Sequence, residues 1–243
     1  MIEMPGLGTI INCALIVLGG LAGVLIGKAL KERVQNILMF AMGLSVIFIG
    51  ASGALSKILV IGENSLGTQG TMMMIFSLAL GGLTGELIDI EGALERFGRW
   101  LREKSNSSGD KSFLNGFMNA SLTVCIGAMA VIGSISDGLY ADYEILLTKG
   151  ILDLVIVMVM ASSMGKGCIF SAIPVAVFQG SVTALSRLIE PIMTEAALAN
   201  LSLVGSILIF CVGLNLCFDK KIKVANLLPS IVFAVAAAFL PWF

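Results

Sequence analysis

The chain has 243 residues, 57% of them hydrophobic and 13% charged, with a mean hydropathy of +1.00. Globular domains hold about 45–50% apolar residues, so these values exclude a typical soluble domain and point to a polytopic membrane protein. A net charge of −1 gives no reason to expect nucleic acid, and the absence of histidine removes the commonest general base and metal ligand, so neither an enzyme nor a cofactor is expected.

The opening MIEMPGLG carries Glu3 and no basic residue, unlike a cleavable signal peptide, so the first apolar run is expected to remain as a membrane helix. A run of about 20 apolar residues crosses the hydrocarbon core. On that criterion eight spans are expected, at 9–27, 36–55, 71–90, 113–136, 149–164, 168–186, 199–218 and 226–243. The expected architecture is an all-α polytopic membrane protein, one integral domain over 1–243 built from helical hairpins at about 9–55, 71–136, 149–186 and 199–243. Between the fifth and sixth spans, Ser162, Ser163 and Gly165-Lys166-Gly167 interrupt the apolar run. An irregular backbone in a bilayer is tolerated only inside protein or beside a watery cavity. A broken or re-entrant hairpin is therefore one reading of this stretch, and a plain inner loop is the other.

Basic residues accumulate in short cytoplasmic loops. If the first span runs inward, Lys28, Lys31, Arg33, Arg96, Arg99, Arg102, Lys104, Lys111, Lys166, Lys220, Lys221 and Lys223 all fall inside, and Lys57, Lys149 and Arg187 outside. That bias puts both termini outside. The longest inner connection, 91–112, repeats Ile90, Leu94, Phe97 and Leu101 at helical spacing opposite Glu95, Arg99, Arg102 and Glu103, the pattern of a helix lying at the membrane surface, followed by a Ser/Gly-rich linker.

Two stretches match each other, Leu18-Gly19-Gly20-Leu21-Ala22-Gly23-Val24-Leu25-Ile26 and Leu80-Gly81-Gly82-Leu83-Thr84-Gly85-Glu86-Leu87-Ile88. A fainter echo links Lys223-Val224-Ala225-Asn226-Leu227-Leu228 to Arg33-Val34-Gln35-Asn36-Ile37-Leu38. Internal repeats are common in transporters, with sites at repeat interfaces. Gly19, Gly23 and Gly27, and likewise Gly81 and Gly85, recur every four residues and suit close helix packing; they also support the expectation of a homodimer. The five cysteines form no C-x-x-C pair and are read as small packing residues, as are the scattered methionines.

Several short motifs together resemble a family. They are Gly8-Thr9 with Asn12, Gly85-Glu86-Leu87-Ile88 with Glu91, and Gly116-Phe117 before Ser121-Leu122-Thr123-Val124-Cys125-Ile126-Gly127-Ala128-Met129-Ala130. Lys149 with Asp153, Gly165-Lys166-Gly167 with Ser171, Gln179-Gly180, Gly213-Leu214-Asn215-Leu216 and Val224-Ala225-Asn226-Leu227-Leu228-Pro229 continue the pattern. The chain is similar to small bacterial inner-membrane proteins typified by YdfK and YqgA, a domain of unknown function. The resemblance covers nearly the whole chain and implies a multi-pass protein of the bacterial inner membrane with a transport role. The chain departs from that pattern at Leu154, where the family tends to have glycine, and at Lys166, where it tends to be apolar.

A charged side chain at the bilayer centre costs about 2.5–3.5 kcal/mol on insertion scales, so each requires an explanation. Asp89 and Asp137 fall at expected helix ends, within reach of water. Glu86 and Asp153 lie about one turn inside their spans and are the candidates for binding an ion, whether a proton or sodium. Pairing of Asp153 with Lys149, one helical turn away, is the structural alternative. Asn12, Asn119, Ser162, Ser163, Ser171, Gln179 and Asn215, with the backbone at Gly165 and Gly167, complete the candidate substrate site. Lys166 and the start of the sixth helix favour an anion or carboxylate-bearing metabolite there. The leading expectation is a small secondary transporter of an ion or small metabolite. An ion channel, or a membrane scaffold or sensory partner working through 91–104, are the alternatives.

Overall fold

The computed structural model describes residues 4–61, 65–105, 107, 112–218 and 222–240. Helix α1 (Leu7–Ala29) turns into α2 (Glu32–Ile58), and a small antiparallel ribbon of β1 (Leu59–Ile61) and β2 (Leu66–Thr68) leads to α3 (Thr71–Ile88) and α4 (Ile90–Lys104). Then come α5 (Phe113–Cys125), α6 (Ala128–Tyr140), α7 (Glu144–Met164), a 3-10 segment Gly165–Ser171 and α8 (Ala172–Ala184). Short α9 (Ser186–Ile189), α10 (Glu195–Phe218), a 3-10 turn Val224–Leu227 and α11 (Pro229–Ala237) complete the order. Among the described residues, five helical runs are long and apolar enough to cross a bilayer, or six if the bent α5–α6 pair is one span. The fold is thus that of a helical membrane protein, with the ribbon as a small β addition.

By length, Glu144–Ala184 is one run of 41 residues. Its packing nevertheless reverses at the 3-10 segment. Gly19, Gly23 and Gly27 of α1 face the carbonyls of Leu154, Met158 and Ser162 in rising order, so α1 and α7 run parallel. Gly20 meets Ile169 and Asn12 reaches Gln179, so α8 runs back along α1. Gly165, at φ 79°, makes the turn that an L side chain resists.

The run 113–136, expected as one span, holds two 13-residue helices bent by 63°, a broken span or a re-entrant one. Ile126 is extended and Gly127 adopts φ 147°, ψ 151°, which breaks the helical hydrogen-bond ladder. Hydropathy averages over such a break because every residue around it is apolar or small.

Two sub-bundles share the core. One packs α1, α5, α7 and α8 around Ile16, Val157, Met160 and Val175; the other packs α2, α10 and the 3-10 turn before α11 around Val46, Leu208, Val212 and Val224. Met42 and Leu216 touch both clusters. Lipid is as apolar as leucine, so these contacts act through van der Waals fit and close approach rather than through exclusion of water. A Cβ at Gly19, Gly23 or Gly27 would lie 2.3, 2.2 or 2.4 Å from the α7 carbonyl oxygen it faces, and one at Gly85 would lie 1.8 Å from that of Asn226. Both glycine stripes therefore seat partners inside the chain. The matched stretches differ in what they pack on: α1 lies along a parallel helix, whereas Gly81 and Gly85 meet Ser230 and Asn226 in falling order, an antiparallel approach.

Helix α4 starts at Asp89, held at φ 57°, whose carboxylate accepts from the Gly92 amide at 3.2 Å. Its apolar face lies on α5, with the rings of Phe97 and Phe117 6.0 Å apart, and Arg96–Asp89 and Arg99–Glu95 pairs line the exposed face.

Candidate functional site

A group of buried polar side chains lies where α1, α5, α7 and α8 meet. On α7, Lys149 and Asp153 stand one turn apart and face inward, at 6% and 4% exposure, and their side chains form an ion pair. Burial of either charge alone is costly, so the pair forms despite the loss of solvation. The ammonium also donates to the Val124 carbonyl at 2.7 Å. That carbonyl is free for it because α5 ends at Cys125 and no further helical turn supplies an amide. The break at Ile126-Gly127 thus completes the coordination of Lys149.

Asn12 on α1 reaches the same place. Its amide nitrogen donates to Gln179 on α8 at 3.3 Å and also reaches the Asp153 carboxylate. Both amides are fully buried, yet the Asn12 oxygen and the Gln179 nitrogen have no hydrogen-bond partner. One turn towards the start of α1, the buried hydroxyls of Thr9 and Thr183 are also without partners. Both line a mouth of about 640 Å³ between α1, α6, α8 and α9, with Arg187 and Gly180 on its wall. A column of polar groups therefore runs from this mouth to the Lys149–Asp153 pair. On another side of the α5 break lies an apolar cavity of about 330 Å³, lined by Cys125, Ile126, Gly127, Pro174, Phe178 and Ile231 among others.

Asp137, expected at a water-accessible helix end, is instead fully buried on α6. It accepts from the Gly8 amide at 3.1 Å, serving the first turn of α1 from another helix. Its sequence neighbours cannot reveal this, because the amide it serves is 129 residues away.

Of the expected site residues, Asp153, Asn12 and Gln179 come together. The others do not join them. Ser162 and Ser171 donate to the carbonyls three residues back, Val159 and Cys168, and Ser163 donates to the Gln35 carbonyl at the α1–α2 turn. Gly165 and Gly167 lie at that same end of the bundle, with Lys166 exposed and a Cβ at Gly167 placed 1.9 Å from the Phe113 carbonyl oxygen. At about 1.5 Å rise per residue, Asp153 is roughly 18 Å from Gly165 along α7. The break at Gly165 is thus a tightly packed turn level with the α1–α2 connection. Asn119 is half-buried on α5, its carbonyl accepting from Thr123. Asn215 bonds both the amide and the carbonyl of Ile222, closing the turn after α10.

Glu86 belongs to a second cluster. It is exposed, pairs with Lys223 at 2.5 Å and accepts from the Asn226 amide at 2.6 Å. Asn226, 3% exposed, in turn accepts from the Glu91 amide at 2.7 Å, while the Glu91 carboxylate accepts from the Ala225 amide at 3.0 Å. Burial, the largest influence, pushes the Glu91 carboxyl above its usual range, and the bond from Ala225 opposes it. The bond to Glu86 holds Lys223 above the ordinary lysine value. This clasp ties the α3–α4 corner to the turn before α11. Thr9 and Val124 stood in the motifs but were not among the candidate site residues, and Thr183 was not singled out at all. Gly127 within an apolar run was the available signal for Val124, whereas neither threonine carries a sign of its place beside the mouth.

Among the described residues no cluster of histidine, cysteine or carboxylates is arranged to hold a metal ion. A family model described as a protein of unknown function, DUF554, matches residues 7–239. The chain belongs to this family. It is similar to the uncharacterized membrane protein YdfK of Bacillus subtilis (strain 168), at 32% identity over 232 residues, covering 96% of this chain and 95% of that one. It is also similar to the uncharacterized protein YqgA of Escherichia coli (strain K12), at 28% identity over 243 residues, covering 98% and 99%. No solved structure matches it. In this DUF554 member Lys149 contacts Asp153, and Glu86 contacts Asn226.

Proposed function

We propose that this DUF554 protein is a small secondary transporter of an ion or small metabolite, and that its binding site is the group formed by Asn12, Lys149, Asp153 and Gln179. The observation that carries this reading is a buried ion pair joined to the open end of a broken helix, beside two amides with unpartnered polar atoms. Intramembrane charges and interrupted helices are costly in a purely structural role and are typical of substrate and ion pathways. Arg187 at the mouth supports an anionic substrate, which its guanidinium would draw in.

In this reading α1, α2, α3, the α5–α6 pair, α7, α8, α10 and the segment ending in α11 make eight crossings of a bacterial inner membrane, with both termini outside. The return of α8 along α1 and the basic residues of the opposite end support that count. The purified protein in liposomes on a solid-supported membrane should give a transient current on a concentration jump of at least one solute from a panel of small carboxylates, phosphate and inorganic ions. The current should vanish in Asp153→Asn. Silence across the panel, or currents indifferent to that substitution, would count against transport through this site.

A further inference from the structure

The Lys149 ammonium sits among oxygen groups that would suit an alkali cation. The Val124 carbonyl lies 2.7 Å away at the carboxyl end of α5, where the helix dipole favours positive charge. The Asp153 carboxylate supplies a full negative charge and pairs with the ammonium, and Asn12 of α1 packs against α7 at Gly150, beside this pair. Hard cations select such sets of carbonyl and carboxylate oxygens. Lysine, however, carries its charge on a tether and cannot leave.

We propose that this is a monovalent-cation site permanently filled by the side chain of Lys149, so that the protein binds no sodium there and its transport, the reading on which this rests, does not run on a sodium gradient. Removing the ammonium then opens a site for sodium. The geometry has a built reason for the α5 break as well: an unbroken helix would use the Val124 carbonyl internally, and the cation would lose that ligand.

Equilibrium binding of radioactive sodium to the purified full chain tests this without any transport assay. The wild type is expected to show no saturable binding, Lys149→Met to show it, and Lys149→Met combined with Asp153→Asn to lose it again. The melting temperature of Lys149→Met should rise when sodium replaces N-methylglucamine at constant ionic strength, and that of the wild type should not move. If Lys149→Met does not accumulate folded, Lys149→Gln takes its place and the wild-type arm still decides. Saturable sodium binding by the wild type that Asp153→Asn abolishes would overturn the proposal, as would a folded Lys149 variant that binds neither sodium nor potassium. Sodium binding by the variant alongside a silent wild-type flux assay would leave the cation site standing and remove the transport reading instead.

Discussion

Lys149 on α7 donates its ammonium to the main-chain carbonyl of Val124, at the end of α5 and 25 residues away in sequence. The bond joins a charge that needs solvation to a carbonyl that has lost its helical partner. Each explains the other, and neither is stable in hydrocarbon alone.

Truncating Lys149 should therefore be severe. Lys149→Ala leaves the Asp153 carboxylate buried without its counter-charge and the Val124 carbonyl without a donor, and should lower stability by about 3–5 kcal/mol. The paired change of Lys149→Met with Asp153→Leu, which leaves no buried charge, should lose clearly less. Denaturation midpoints in a single detergent compare the two; equal losses would mean that side-chain volume, not charge, sets the cost.

The close approach of α3 to the turn before α11 makes Gly85 intolerant. An added Cβ would lie 1.8 Å from a backbone oxygen, which cannot rotate away as a side chain can. Gly85→Ala should cost at least the roughly 1–3 kcal/mol of overpacking. Gly180→Ala is the control, since nothing lies within 4 Å of its added Cβ. Melting temperatures should fall for the first and stay close to wild type for the second.

Asn226 serves Glu86 and Glu91 together. Asn226→Ala leaves the Glu91 backbone amide short of a partner, and an unsatisfied buried donor costs about 1–3 kcal/mol, with the exposed Glu86 carboxylate free to turn to water. A loss of about 1–3 kcal/mol is expected by chemical denaturation, while Asn226→Asp, facing Glu86 and Glu91, should be no better.

Glu91 adds a pH dependence with a defined sign. Its folded carboxyl holds a proton more tightly than the ordinary value of 4.5, chiefly because it is half-buried. The folded state then binds more protons than the unfolded one, so this contribution is fully present below 4.5 and is lost as pH rises through the higher folded value. Glu91→Gln should remove that decline. The gap in melting temperature between variant and wild type should widen in the variant's favour as pH rises above 4.5, and a gap independent of pH would contradict the assignment.

Periodicity and apolar length made most helices legible, along with the four-residue spacing that pairs Lys149 with Asp153. Asn12 and Gln179 stood out as amides in hydrocarbon, but their meeting depends on α8 reversing along α1, a tertiary fact. Glu86 looked buried because hydropathy carries the third span to residue 90, whereas α3 ends at Ile88 and the Asn226 turn comes up beside it. Ser162, Ser163 and Ser171 carried no sign that backbone carbonyls already take their hydroxyls. Val124 acts through its main-chain carbonyl and Asp137 through a bond from a distant main-chain amide, neither of which residue type encodes.

Transport through this site requires the Asn12–Gln179 level to open to water, and cysteine accessibility tests that most directly. In a chain with Cys13, Cys125, Cys168, Cys211 and Cys217 replaced, Gln179→Cys should react with a membrane-impermeant thiol reagent added on the side where α1 begins. Val157→Cys, equally buried in the apolar core, should stay unlabelled. If Gln179→Cys is as inert as Val157→Cys, the polar column never meets solvent and the transport account fails.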